Sequence, residues 1–175
     1  MLDRIKQSYI KKKRKRAPIL HNVFNTKYSK RALLSYIKEV FENDKKRLDI
    51  GHTNVHKTLY IAEALSELGY DVDVIDWQSD SVVDFAKYGL IIGLGNVLES
   101  AILSRTSGHN PYVIYFATGC NPTFSNRVTL ERMVAFYLKT GKALLSSTRF
   151  FSKGWPLQHE VSDWIILHGD EFSKS

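Results

Sequence analysis

The chain has 175 residues, 43% of them hydrophobic and 12% aromatic, which is typical of one globular domain with a sizeable core and excludes a wholly disordered chain. No apolar run approaches the roughly 20 residues that cross a bilayer, and no apolar segment of the signal-peptide kind follows the basic start. The single cysteine, Cys120, excludes an internal disulfide and a cysteine-based zinc cluster, so we expect a reducing, cytoplasmic compartment.

The net charge of +7 is concentrated at the start of the chain. Residues 1–30 carry ten Lys or Arg and one Asp, which leaves a net charge of −2 on the other 145 residues. A run of six cations usually stays solvated, but it could bind anionic lipid head groups or nucleic acid phosphates. No RNA-binding aromatic motif or zinc finger follows it, which disfavours nucleic acid. We predict a basic, mobile arm over residues 1–30 and a domain over 31–175; the six cations are Lys11, Lys12, Lys13, Arg14, Lys15 and Arg16.

Apolar segments then alternate with amphipathic ones. Strands are predicted over residues 32–37, 72–76, 88–93, 112–117 and 164–168, with a further short strand over 142–147. Helices are predicted over residues 54–68, 97–105, about 122–139 and 157–162. In the longest helix we expect a buried stripe that comprises Val128, Met133, Val134, Phe136 and Tyr137.

This alternation predicts an α/β domain with a doubly wound, open, mostly parallel sheet of about five or six strands, in three layers. Each glycine-bearing polar turn follows the carboxyl end of a predicted strand. Because open α/β sheets bind ligands at that edge, the turns should converge on one functional rim.

The first of these turns comprises Gly51, His52, Thr53 and Asn54, with His56 and Lys57 just inside the following helix. A helix start favours anions, so this turn could bind a phosphate or a sugar hydroxyl, with His52 or His56 as a donor or base. A capped helix start with exposed histidines explains the same residues without a ligand.

Two further turns carry weaker signals. Gly93 and Gly95 resemble a phosphate loop, but Leu98 replaces the third glycine of a dinucleotide motif, so a tight strand exit explains them equally well. In the turn Thr118, Gly119, Cys120 and Asn121, the thiol could be a nucleophile if a histidine partnered it, or it could be incidental. No metal site is predicted, because His52 and His56 lack an acidic neighbour.

Several of these segments together resemble the amino-terminal half of bacterial glycosyltransferases of the two-domain GT-B type. The resemblance covers about residues 31–170 and leaves out the basic arm. The matching segments are residues 33–37, His52-Thr53-Asn54, Ile61-Ala62, Leu65, Leu68-Gly69-Tyr70, residues 72–76 and 88–93, Tyr115-Phe116-Ala117-Thr118-Gly119, and residues 157–166.

The resemblance implies a Rossmann-like domain that binds the acceptor, while a second such domain binds the nucleotide sugar and transfer occurs in the cleft between them. It implies that the cleft is faced by His52, Thr53, Asn54, Gly93, Gly95, Thr118 and Gly119. No cofactor is expected in this domain, since the nucleotide sugar is a co-substrate of the complete enzyme. No second domain follows in this sequence, so the donor-binding half is expected in cis or in trans.

The leading hypothesis is therefore an acceptor-binding domain of a nucleotide-sugar-dependent glycosyltransferase in glycan or glycolipid synthesis, with His52 and then His56 as the candidate base. Acceptors in this family are often lipid-linked, so the basic arm would hold the domain at the inner face of the membrane. The alternatives are a non-enzymatic glycan- or phosphate-binding α/β module and, third, a nucleic-acid-binding protein, which should show steep salt dependence.

Overall fold

A computed structural model describes residues 18–42, 53–105, 108–145, 148–152 and 154–167. The strands are β1 (Lys30–Tyr36), β2 (Tyr70–Asp76), β3 (Leu90–Gly93), β4 (Tyr112–Ala117) and β5 (Trp164–Leu167). The helices are α1 (Glu39–Glu42), α2 (Thr53–Glu67), α3 (Asn96–Leu103), α4 (Pro122–Thr140) and α5 (Gly154–Val161), with a 3-10 turn at Phe85–Lys87. In these ranges, no helix combines the length and the apolarity that a membrane span requires.

The five strands form one open parallel sheet in the order β2-β1-β3-β4-β5, with helices packed around it. The predicted α/β, Rossmann-like architecture is therefore confirmed. The additional strand predicted over residues 142–147 is wrong for its described part, because residues 142–145 are not extended in the sheet. The place beside β4 is taken by β5, and Gly141 ends α4 in the left-handed conformation, which directs the following residues away from the sheet.

The core lies along β2 and the three central strands. Ala32, Leu33 and Leu34 of β1 are fully buried, as are Ile91 of β3 and Val113 of β4. Such continuous apolar runs are expected where helices cover both faces of a parallel sheet.

Residues 18–28 cover the outer edge of β2. Leu20 forms an antiparallel bridge with Val74, which occupies hydrogen-bonding groups that an open strand edge would leave unpaired. Asp73 is fully buried, and its carboxylate accepts from the backbone N–H of Asn22 at 2.9 Å. The other carboxylate oxygen lies 2.7 Å from Nδ1 of the His21 ring. The predicted basic run at residues 11–16 lies outside the described residues.

A second carboxylate, that of Asp71, holds the end of the same segment. It accepts from the Thr26 hydroxyl at 2.7 Å and from the backbone N–H of Tyr28 at 2.9 Å. These two hydrogen bonds, the Thr26 bond first, lower the pKa of Asp71. The charged form of Asp71 therefore stabilises the covered edge.

Helix α4 is buried differently from the prediction. Its start is as expected, because the Asn121 side chain caps it by accepting from the N–H groups of Thr123 and Phe124. Val134 and Tyr137, however, are 49% and 55% exposed, so their assignment to a buried stripe is wrong. Val128, Met133 and Phe136, the other three residues of the predicted stripe, are half-buried. The fully buried residues of the helix are Pro122 and Thr129, and the exposed apolar residues have no covering element in the described part of the chain.

Candidate functional site

The candidate site lies at the carboxyl edge of the sheet. The chain runs from β1 to β2 on one side and from β3 to β4 and β5 on the other, so the winding direction reverses between β1 and β3. Ligands of open α/β sheets bind at such a switch point. Since all strands are parallel, the described turns after β2, β3 and β4 lie at this edge. The predicted place of the Gly51 and His52 turn beside them stays a prediction.

Tyr36 ends β1 at the switch point. Its side chain is only 3% exposed, and its ring meets the Phe116 ring edge-on with 5.4 Å between centroids. The Tyr36 hydroxyl is buried and has no hydrogen-bond partner among the residues that the structure describes. Burial raises the pKa of Tyr36 to about 12, so the group stays a neutral donor at physiological pH. A buried polar group without a partner is rare, which marks the position as one where a ligand or water would be favoured.

The turn after β2 is tied to the turn after β3. The carbonyl of Trp77 accepts from the backbone N–H of Asn96 at 3.0 Å, and the Asn96 side-chain amide donates to Asp80 at 3.0 Å. Asp76, fully buried at the end of β2, accepts from the N–H of Gln78 at 2.8 Å. These bonds fix the position of the first residue of α3 relative to the end of β2.

Gly93 and Gly95 are required by close packing. Gly93 has φ of +141°, and a Cβ there would collide with the carbonyl oxygen of Ser35. Gly95 has φ of +87°, and a Cβ there would collide with the carbonyl oxygen of Trp77. The packing accounts for both glycines as a tight strand exit. Their predicted contact with a ligand stays a prediction.

Gln158 of α5 joins the turn after β3 to the opposite side of the site. It is 1% exposed, and its Oε1 accepts from the backbone N–H of Gly95 at 2.8 Å. Its Nε2 donates to the carbonyl of Gly154 at 3.0 Å. Both ends of the amide are thus satisfied, and α5 is positioned against the start of α3.

His159, the next residue of α5, lies beside the turn after β4. The Asn121 amide nitrogen is 3.2 Å from its Nε2, and its ring meets the Tyr115 ring edge-on at 6.1 Å. Burial first, and then the nearby Cys120, raises the pKa of Tyr115. A histidine, a capping amide, a phenol and the exposed thiol of Cys120 therefore share this corner of the edge.

The residues singled out from the sequence are only partly brought together. Gly51 and His52 lie outside the described residues. Thr53 and Asn54 start α2, where the Asn54 carbonyl accepts from the Thr58 hydroxyl, and His56 stacks on Tyr60 one turn further along. Thr118 and Gly119 are exposed at the end of β4, on the same edge as Gly93. Within the described ranges, no three His, Cys, Asp or Glu side chains cluster closely enough to hold a metal ion.

Three residues of this edge were not singled out from the sequence: Tyr36, Gln158 and His159. The sequence could have indicated Tyr36, because it places a residue with a polar hydroxyl at the carboxyl end of an apolar strand. Gln158 and His159 carried none, since their roles depend on where α5 packs.

The chain was compared with protein-family models, with curated proteins and with solved structures, and none of them matches it. The structure therefore establishes an α/β, Rossmann-like sheet with a polar edge at its switch point, and a function has to be argued from that edge.

Proposed function

We propose that this chain is the acceptor-side domain of a nucleotide-sugar-dependent glycosyltransferase. The observation that carries the proposal is the unpartnered Tyr36 hydroxyl, buried at the carboxyl end of the strand beside the switch point, with no partner among the described residues. A neutral hydroxyl donor is suited to a sugar, whose hydroxyl groups both accept and donate. The resemblance of residues 31–170 to acceptor domains supplies the reaction class.

Acceptor activation requires a base within hydrogen-bond reach of the attacking hydroxyl. His52 is the first candidate from the sequence and His56 the second, and the corner formed by Asn121 and His159 adds a third histidine on the same edge. In this proposal the other domain supplies the nucleotide sugar, so this chain alone binds glycan and leaves nucleotide sugars unchanged.

The test is direct titration of the full chain with an oligosaccharide panel and, separately, with UDP-glucose and GDP-mannose. We expect measurable glycan binding, little nucleotide binding and no release of nucleotide. Tyr36→Phe should weaken glycan binding about fivefold or more, the loss of one hydrogen bond. Tyr28→Phe, at an exposed tyrosine before β1, is the matched control and should bind as the wild type does.

Turnover of a nucleotide sugar by this chain alone would contradict the assignment to the acceptor side. If Tyr36→Phe leaves glycan binding unchanged, the Tyr36 hydroxyl does not contact the glycan, and the proposal loses its main support. If a reconstituted two-domain enzyme is obtained, His52→Ala, His56→Ala and His159→Ala distinguish the three candidate bases, because loss of the base lowers kcat without loss of acceptor binding.

A further inference from the structure

Three aromatic rings from separate parts of the chain meet near the carboxyl edge of the sheet. The rings of Trp77 and Trp155 meet edge-on with 5.9 Å between centroids, and the Phe151 ring lies 5.9 Å from that of Trp155. Trp77 directly follows β2, and Trp155 lies in the first turn of α5. All three residues are only half-buried, so they lie where the core meets solvent. We call these three rings the aromatic cluster.

The aromatic cluster adjoins the switch point. The backbone N–H of Trp77 donates to the carbonyl of Tyr36 at 2.9 Å, and the Trp77 carbonyl accepts from the N–H of Asn96 at 3.0 Å. The Trp77 ring packs on Gly95, where a Cβ would lie 2.9 Å from the Cε3 atom of the ring. Trp77 therefore joins the end of β1 to the start of α3, at the crevice where open α/β sheets bind ligands.

Hydrogen bonds hold the other two rings in place. The side chain of Asn126 donates to the carbonyl of Phe151 at 3.1 Å and accepts from its N–H at 2.8 Å. The Arg149 guanidinium lies over the Phe151 ring, 5.4 Å from its centroid. Trp155 belongs to α5, which Gln158 positions against the start of α3. Rings that are fixed before binding lose little freedom when a ligand packs on them.

Two carboxylates border the aromatic cluster. Asp80 accepts from the side-chain amide of Asn96 at 3.0 Å. Glu99 lies against Gly154, the residue before Trp155, because a Cβ on that glycine would collide with the Glu99 carboxylate. Carboxylates accept hydrogen bonds from hydroxyl groups, but they repel the phosphates of a nucleotide. Aromatic rings with carboxylates beside them therefore suit a neutral sugar, which has apolar C–H faces and hydroxyl groups around its rim.

We propose that the aromatic cluster is a subsite for a neutral pyranose ring of the acceptor. The C–H face of the sugar packs on the indoles of Trp77 and Trp155. Its hydroxyl groups donate to Asp80 and Glu99. Small-ligand sites generally combine aromatic walls with a few polar groups that fix the orientation of the ligand. The inference rests on the proposed function, and it specifies the part of the acceptor that this edge recognises.

The third tryptophan of the chain is an internal control. Trp164 begins β5, and its indole N–H donates to the hydroxyl of Tyr112, the first residue of β4. Because the strands are parallel, Trp164 lies at the amino edge of the sheet, opposite the aromatic cluster. Trp164→Phe leaves only the two indoles of the cluster as tryptophan fluorophores, whereas Trp77→Phe with Trp155→Phe leaves only Trp164.

The test combines titration calorimetry with acrylamide quenching of tryptophan fluorescence in the full chain. The probes are neutral tetrasaccharides of glucose, mannose and galactose and, separately, UDP-glucose and GDP-mannose. In Trp164→Phe, at least one tetrasaccharide should lower the quenching constant, because the bound sugar covers the two indoles. In the chain that keeps only Trp164, saturating sugar should leave the quenching constant unchanged.

The affinity of each variant for the same tetrasaccharide measures the contribution of each group. Trp155→Leu should weaken binding about tenfold, because most of the apolar contact with one ring is lost. Trp155→Phe, which keeps a flat ring, should weaken it less, and Trp164→Phe should bind as the wild type does. Asp80→Asn and Glu99→Gln should each weaken binding about fivefold, since a neutral amide is a weaker acceptor than a carboxylate. Far-ultraviolet circular dichroism shows whether each variant is folded.

The outcomes separate this subsite from the proposed function. A tetrasaccharide that binds in calorimetry without changing the quenching constant would overturn the subsite and leave the proposed function standing. If no tetrasaccharide binds, both are overturned. A change in quenching that the nucleotide sugars produce and the tetrasaccharides do not would assign the cluster to a nucleotide instead. If Trp155→Leu weakens sugar binding and Tyr36→Phe does not, the subsite is supported and the proposed function loses its main observation.

Discussion

The rings of Tyr36 and Phe116 meet edge-on at 5.4 Å between centroids, and this packing across β3 buries a hydroxyl group that has no partner in the described part of the chain. Tyr88, by contrast, is also buried, and its hydroxyl donates to the Asp73 carboxylate at 2.8 Å. Two buried tyrosines of one domain thus differ in whether the hydroxyl is satisfied, and that difference can be measured.

Tyr36→Phe should make the fold more stable by about 1 kcal/mol, because it removes a desolvated donor that gains no hydrogen bond. Tyr88→Phe should have the opposite effect and cost about 1–3 kcal/mol, because Asp73 loses a donor in a buried position. Urea unfolding of both variants and the wild type gives the two differences. A loss of stability in Tyr36→Phe would mean that the hydroxyl is satisfied in solution.

Gln158→Leu should cost about 2 kcal/mol, since it leaves the backbone N–H of Gly95 and the carbonyl of Gly154 without the side-chain partners that they have in a buried region. Leu157→Ala on the same helix is the control, because it changes apolar packing without removing either hydrogen bond. The amide proton of Gly95 distinguishes the two effects. Its exchange rate should rise strongly in Gln158→Leu and remain close to the wild-type value in Leu157→Ala if α5 stays in place.

Gly93→Ala should cost roughly 3 kcal/mol or more, because the new Cβ collides with the Ser35 carbonyl at a φ that side chains rarely adopt. Gly89→Ala is the matched control in the turn before the same strand, where a Cβ meets no atom within 4 Å. Thermal unfolding should therefore show a large decrease in Tm for the first and a small change for the second. Equal Tm values for the two variants would contradict the packing at Gly93.

The hydrogen bonds to Asp71 predict a pH-dependent contribution to stability. The folded-state pKa of Asp71 lies below its ordinary value of 3.8, so its contribution is fully present above the unfolded-state pKa and is lost as the pH falls through the folded-state pKa. Asp71→Asn should therefore have a lower free energy of unfolding than the wild type at pH 7, as measured by urea unfolding. The difference between the two free energies should narrow below about pH 4. Glu63→Gln, at an exposed position of α2, controls for the loss of one carboxylate. A difference in free energy of unfolding between Asp71→Asn and the wild type that does not change with pH would refute the prediction.

The sequence by itself determined the alternation of strands and helices and the edge at which their turns meet. Apolar runs such as Tyr112–Ala117 specify buried strands, and residues such as Asn121 and Gly141 specify helix ends, because these signals act over a few neighbouring residues. Because the strands are parallel, the turns that follow them lie at the same edge of the sheet. That is why the fold could be predicted in most of its elements.

Only the tertiary structure decided which residues gather at the edge and which faces remain exposed. Gln158 reaches Gly95 across 63 positions of sequence, and nothing local to either residue encodes that contact. Val134 is apolar and Tyr137 largely so, but whether they face the core or solvent depended on where elements such as α5 pack against α4. Burial is a property of the neighbours that a side chain meets, and those neighbours come from distant parts of the chain.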